Sequence, residues 1–295
     1  MEIYVFSSGG PSLPASRGPL SVYLNSNTGS PARGASKAFC SCVITMGEET
    51  ESTVKIIDLR FEKLDNPIVV EGFPSVGLVG AIATEYLTSK LKMKYIGYMK
   101  SKRFPPITLI KDGIPTAPIR IYAKDNLVVF VSDTAVPPAM VHDVADCIVD
   151  WVQKHQAKQI VSIGGIAQSA RQQEDEPNVY GVATTAREMK KIENVGLETI
   201  HLGFLTGVYG VLMMECAERG IPAMGFLADA HYEYPDPAAA AAALDAMAKV
   251  LKLKISTKPL LETADRIESK MQALMSQTKK AMEGMESQQY PSIYR

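Results

Sequence analysis

The sequence predicts a layered α/β domain, a mixed sheet with flanking helices, and three observations carry that reading. Short apolar runs rich in β-branched residues alternate with helical patterns from Val54 to about Ile255. Consecutive β-like runs between residues 95 and 131 have no helix between them, so part of the sheet is expected to be antiparallel or mixed. With 46% of 295 residues hydrophobic, the chain can build one large core or two small ones.

Taken in order, Pro67-Ile68-Val69-Val70 reads as a buried strand leading into the turn Gly72-Phe73-Pro74-Ser75-Val76-Gly77-Leu78-Val79-Gly80 and a helix to about Leu91. Further strands are expected at residues 95–98, 107–110, 119–122 and 127–131. Pro137-Pro138 opens a helix that places Val141, Val144, Ile148, Trp151 and Val152 on one face. Ile160-Val161-Ser162-Ile163 is another buried strand, and the polar stretch 168–178 reads as a surface loop. A second glycine turn, Gly203 through Gly207 and Gly210, starts a helix ending near Gly220. Residues 222–227 form the next strand. Asp236 then caps a helix with Pro237 at its first position and Ala240, Leu244, Met247 and Leu251 on one stripe.

Both ends differ from this α/β domain, which is placed at 46–256. Residues 1–45 are dominated by Ser, Gly, Pro and Asn and bury too little apolar surface to offset their ordering entropy. They are read as disordered, or as a leader mis-assigned ahead of a true start at Met46. Residues 257–286 carry Leu260, Ala264, Ile267, Met271, Leu274, Thr278, Ala281 and Met285 at alternating spacings of four and three, a heptad-like seam. Leu261, Met275 and Met282 widen that seam. Gly284 and Pro291 then weaken and stop the helix, leaving 287–295 as a short flexible tail.

Charge and composition exclude several classes. With 31 basic against 32 acidic residues, no bulk field favours nucleic acid or a membrane surface, and no apolar run has the ~20 residues of a membrane span. Cys40 and Cys42 lack CxxC spacing, while Cys147 and Cys216 sit in apolar helical patterns, which fits buried thiols in a reducing cytoplasm. The four histidines are scattered, so no metal site is expected, and His155 near a helix end suits a partial positive charge. No nucleophile pairs with a base, and no cofactor motif is present. Gly72-x4-Gly77-x2-Gly80 lacks the Lys-Ser/Thr of a phosphate loop. Gly72, Gly77, Gly80, Gly203, Gly207 and Gly210 are therefore read as packing devices, with an anion site at either helix start as the open alternative.

The last three residues, Ile293-Tyr294-Arg295, form a hydrophobic-Tyr-any-residue tail, which this composition would produce by chance about 2% of the time. An aliphatic anchor, a phenol and a free carboxylate suit a pocket with an apolar floor and a basic residue. Taken alone, the tripeptide fits a docking tail and an accidental end equally well.

The segments 72–80, Gly164-Gly165-Ile166-Ala167 and 203–210 together resemble the proteasome assembly chaperone family, its archaeal homologues above all, over roughly Val54 to Ala281. The resemblance implies a nucleoside-phosphorylase-like fold without catalytic apparatus, a projecting C-terminal helix, and homo-oligomers of four or five chains. It also implies docking on α subunits of the 20S proteasome, with Ile293 as anchor, Tyr294 as gate-opening contact and Arg295 as the carboxylate donor. The expected function is a cytoplasmic, non-enzymatic assembly chaperone or ATP-independent activator. A small-molecule protein or enzyme built on the two glycine turns, and an oligomeric scaffold with an inert tail, remain as alternatives.

Overall fold

A computed structural model of the chain describes residues 53–59, 64–167, 176–262 and 264–286, all within one compact unit running from Glu49 to Arg295. The leader 1–45, most of the polar loop after Ala167 and the tail 287–295 lie outside the described residues.

In chain order the elements are β1 (Lys55–Asp58), β2 (Ile68–Gly72), α1 (Val79–Lys90), β3 (Lys94–Lys100), β4 (Leu109–Lys111), β5 (Ile114–Thr116), β6 (Ile119–Lys124) and β7 (Leu127–Ser132). There follow α2 (Val141–Lys154), β8 (Gln159–Ala167), β9 (Val179–Ala183), α3 (Ala186–Glu193), β10 (Glu198–Thr199) and α4 (Gly207–Glu218). The chain closes with β11 (Ala223–Ala230), α5 (Pro237–Leu251), α6 (Lys258–Leu261) and α7 (Ala264–Glu286). Short 3-10 turns at Val76–Leu78 and Pro138–Met140 lead into α1 and α2.

Among the described residues, nine strands form one sheet in the order β1-β3-β6-β7-β2-β8-β11-β9-β10, while β4 and β5 pair separately as a hairpin. The centre, β7-β2-β8-β11, is parallel. The pairs β1–β3, β3–β6, β6–β7 and β11–β9 are antiparallel, so the sheet is mixed. Successive residues of a strand face opposite sides. Val70, Val129 and Val161 pack into the core beneath α1 and α5, and Val69, Val128 and Ile160 into the one beneath α2 and α4. Helices cover both faces, which is why β7 is buried at all six positions and reads as an apolar run from Leu127 to Val131 that ends at Ser132.

The helices form where their signals place them. All five stripe residues of α2, Val141 through Val152, are buried. Asp236 caps α5, its Oδ1 accepting from the Ala239 N–H at 2.9 Å, with Pro237 in the first turn. The alanines of α5 bury their small side chains against the sheet and α1, which lets the helix axes approach closely.

Five elements were not legible beforehand: β1, β5, β9, α3 and β10. The hairpin of β4 and β5 turns on Asp112-Gly113, both at positive φ (51° and 78°), a sequence signature for a tight hairpin turn. Helix α3 is mostly polar and buries Ile192 as its apolar anchor. Its start is nonetheless written locally. The Thr185 hydroxyl accepts from the Glu188 N–H as the N-cap and also meets the Glu188 carboxylate.

The C-terminal segment also differs in detail. Leu260 is buried on α6, a separate turn, and the long helix begins at Ala264 rather than near Pro259. Between Met271 and Met282, α7 does not stand away from the body: Met275 and Thr278 are buried, and Met271, Leu274 and Met282 pack partly buried against the core. The widened seam finds apolar partners in the same chain. The side chains of Ile267 and Met285 fall outside the described set.

Candidate functional site

Strand β2 ends in a carboxylate. Glu71 is 1% exposed, inside the apolar run Ile68-Val69-Val70-Glu71, and its Oε1 accepts from the Phe73 N–H at 2.7 Å. Its second oxygen, Oε2, has no hydrogen-bond partner of regular geometry, and the hydroxyl of Ser162, its neighbour across the β2–β8 register, lies near the carboxyl without one either. Burial pushes the Glu71 carboxyl up to about 7, while the Phe73 N–H and the Ser162 hydroxyl pull the other way.

The first glycine turn follows at once. A Cβ at Gly72 would lie 2.4 Å from the Gly80 carbonyl oxygen, and one at Gly80 would lie 2.4 Å from that of Ile163. Backbone therefore meets backbone where α1 crosses β2 and β8. Thr84 ties the crossing, its hydroxyl reaching the Gly72 carbonyl of β2 at 3.2 Å as well as the Gly80 carbonyl of its own helix at 2.9 Å. Gly77 holds φ +60°, a conformation that glycine adopts without strain, and its carbonyl accepts from the Asp236 N–H at 2.8 Å.

The second turn has a different setting. Gly203 is exposed beside Leu202 and Phe204, which are 83% and 81% exposed. Gly207 has φ +77° with open space where a Cβ would go, and Gly210 packs against the Leu205 carbonyl of its own loop. The fold nonetheless brings the two turns together. Glu71, Ser75 and Val76 from the first and Thr206, Gly207 and Tyr209 from the second line one cavity of about 40 Å³. Thr278, Ala281 and Met282 of α7 line it as well. Burial raises the Tyr209 phenol, with hydrogen bonding to Thr206 opposing the shift.

Helix α7 is held over this junction chiefly by its apolar stripe. Thr278 turns its hydroxyl back to the Leu274 carbonyl at 2.8 Å, and Lys279 pairs with Glu233 and lies 5.5 Å from the Tyr232 ring. Ile293, Tyr294 and Arg295, expected from the sequence to dock, lie outside the described residues.

A polar cluster went unread in the sequence. Arg120, 2% exposed, pairs with Asp133 and lies 3.5 Å from Glu85, with its guanidinium 5.7 Å from the Tyr122 ring. Arg120 alternates with apolar residues in Ile119-Arg120-Ile121, a pattern that marks one strand face but names no partner. Cys147 and Cys216 are buried, and burial pushes both thiols up to about 12, closing them to thiolate chemistry near neutrality. His155 stacks on Trp151 at 4.1 Å, and burial lowers its pKa, with Asp58 opposing the shift. Among the described residues, no three His, Cys, Asp or Glu side chains gather as a metal site, and no helix is long and apolar enough to cross a membrane.

Residues 69–275 match the PAC2 family, and the chain belongs to that family. The fold is similar to that of PbaA from Pyrococcus furiosus, an archaeal homolog of proteasome-assembly chaperone. That likeness has 33% identity and a TM-score of 0.73, spanning 78% of this chain and 99% of PbaA. PbaB from the same organism, an archaeal proteasome activator, is 27% identical with a TM-score of 0.64 over 76% of this chain and 99% of its own. An uncharacterized protein of Methanocaldococcus jannaschii, MJ0106, is 31% identical over 230 residues, 78% of this chain and 94% of that protein. The family is thus one whose fold is shared by proteasome-assembly-chaperone and activator homologues.

Proposed function

We propose that this protein is a non-enzymatic, cytoplasmic homologue of the archaeal proteasome assembly chaperones that docks on the α subunits of the 20S particle and opens its gate without ATP. The observation that carries the reading is a body similar to PbaA and PbaB over 99% of each of those chains, followed by a tail ending in Ile293-Tyr294-Arg295. Ile293 is the apolar anchor, the Arg295 carboxylate meets a basic residue, and Tyr294 displaces the gate. Nine residues follow Glu286, enough for an extended reach of at most about 30 Å beyond the end of α7.

One such tail binds weakly, so the reading includes a homo-oligomer of four or five chains that presents several tails at once. Apolar surface for such assembly is available at Leu202 and Phe204 and on the β4–β5 hairpin, where Ile110 and Ile114 are 59% and 67% exposed.

The test is fluorogenic-peptide hydrolysis by matched 20S particles with the full chain and with Ile293–Arg295 deleted, after intact mass has established Arg295 as the native terminus. The full chain should raise the rate several-fold, and the deletion should abolish both the rise and co-purification. Equal binding and equal rates would remove the tail from the mechanism and leave an oligomeric scaffold.

A further inference from the structure

The cavity at the meeting of the two glycine turns has the makings of a ligand site independent of the proteasome reading. It lies just beyond the carboxyl end of β2, at the boundary with β8. There the chain parts: β2 leads through α1 to β3 on one side of the sheet, and β8 leads to β9 on the other. In open α/β sheets this switch point leaves a crevice between diverging connections, the place where such folds receive ligands.

The chemistry of the crevice is specific. Glu71 offers an oxygen, Oε2, that no hydrogen bond of regular geometry satisfies, although the residue is 99% removed from solvent and the Ser162 hydroxyl lies near the carboxyl. A buried acceptor left unpaired is costly, so the site gains from any donor that reaches it. The remaining lining is largely apolar, with Phe73, Val76, Val136, Val208 and Met282 around the carboxyl and the Ser75 hydroxyl beside it. A carboxylate repels anions, and one carboxylate among apolar walls is too few oxygens for a divalent metal. Water would satisfy Oε2 but not the apolar walls. A compact cation with N–H donors and a short apolar body satisfies both. A volume of about 40 Å³ holds roughly three water-sized probes, which sets the scale at a few heavy atoms.

We propose that this cavity binds a small primary amine, taken as its ammonium ion, on the free carboxylate oxygen of Glu71. Thr278, Ala281 and Met282 form its roof, so occupancy holds α7 down. Of the lining residues, Tyr209 is the other titratable one, and burial keeps its phenol neutral. Binding therefore follows the ionisation of Glu71.

The probe is ethylammonium chloride, titrated into the full-length protein and followed by calorimetry and by hydrogen exchange over residues 264–286. Saturable binding of one ion per chain is expected, about tenfold tighter at pH 8 than at pH 6 because the competent, ionised fraction of Glu71 rises. Exchange in α7 should slow on saturation, and the neutral isostere ethanol should do neither. Glu71→Gln should abolish binding. Should that variant not fold, Ala281→Leu fills the roof while leaving Glu71 intact and should abolish binding equally. Absence of saturable binding at pH 8 would reduce the cavity to a water site and overturn the proposal. Binding that ethanol matches, that lacks pH dependence, or that survives either variant would overturn it too.

Discussion

Glu71 and Gly80 show how single positions at the junction are constrained, in one case by charge and in the other by volume. The unfolded Glu71 carboxyl titrates near 4.5 and the folded one near 7, so the native state holds the proton more tightly. A carboxyl raised in this way stabilises the fold relative to its ionised form at low pH, and the advantage is lost as pH rises from about 4.5 through 7. The loss amounts to about 3 kcal/mol between pH 4.5 and 8. Chemical denaturation at pH 5 and pH 8 should reveal this fall, and Glu71→Gln should flatten the component that Glu71 contributes. At Gly80 the constraint is steric. Gly80→Ala drives a methyl to 2.4 Å from the Ile163 carbonyl oxygen, which is backbone and cannot turn aside. The helix must shift off the sheet, at a cost of about 2–4 kcal/mol. A thermal midpoint within a degree of the parent would contradict that account.

At the scale of elements, α7 carries most of the consequence. It is joined to the body through one stripe, Met271 to Met282, and through a half-exposed ion pair of Lys279 with Glu233 that contributes little. Removing apolar volume from the stripe should therefore release the helix without unfolding the sheet. Met275→Ala, at a side chain 5% exposed, should cost about 2–3 kcal/mol locally. Hydrogen exchange over 264–286 should accelerate at least tenfold while the parallel strands β7, β2, β8 and β11 keep their protection. The elements also show where local sequence carries enough information. Helix α2 and the capped start of α5 were legible because an amphipathic stripe and an Asp-Pro cap act within one element. Strands β9 and β10 were not, because two to five residues give no usable period, and β9 pairs with β11, distant in sequence, while β10 pairs with β9 across α3.

On the scale of the whole molecule, the exposed apolar residues bear on assembly. Leu202 and Phe204 contribute nothing to the described core, so Leu202→Asp with Phe204→Asp should leave the thermal midpoint nearly unchanged. If they lie in a subunit interface, as proposed, light scattering should show a smaller particle than the four or five chains expected of the parent. An unchanged mass would move the interface elsewhere, with the β4–β5 hairpin and its Ile110 and Ile114 next to be tested.

The sequence by itself determined the layered α/β class, the mixed sheet, the position of both glycine turns and the existence of a C-terminal helix. Each follows from periodicity, caps or breakers acting over a few neighbouring residues. Only the tertiary structure decided that residues of the two turns line one cavity, that Glu71 lies there with an oxygen unpaired, and that α7 is seated along its apolar stripe. Those facts depend on which strands pair and on what surface remains for α7, and both are set by burial across more than a hundred residues of chain.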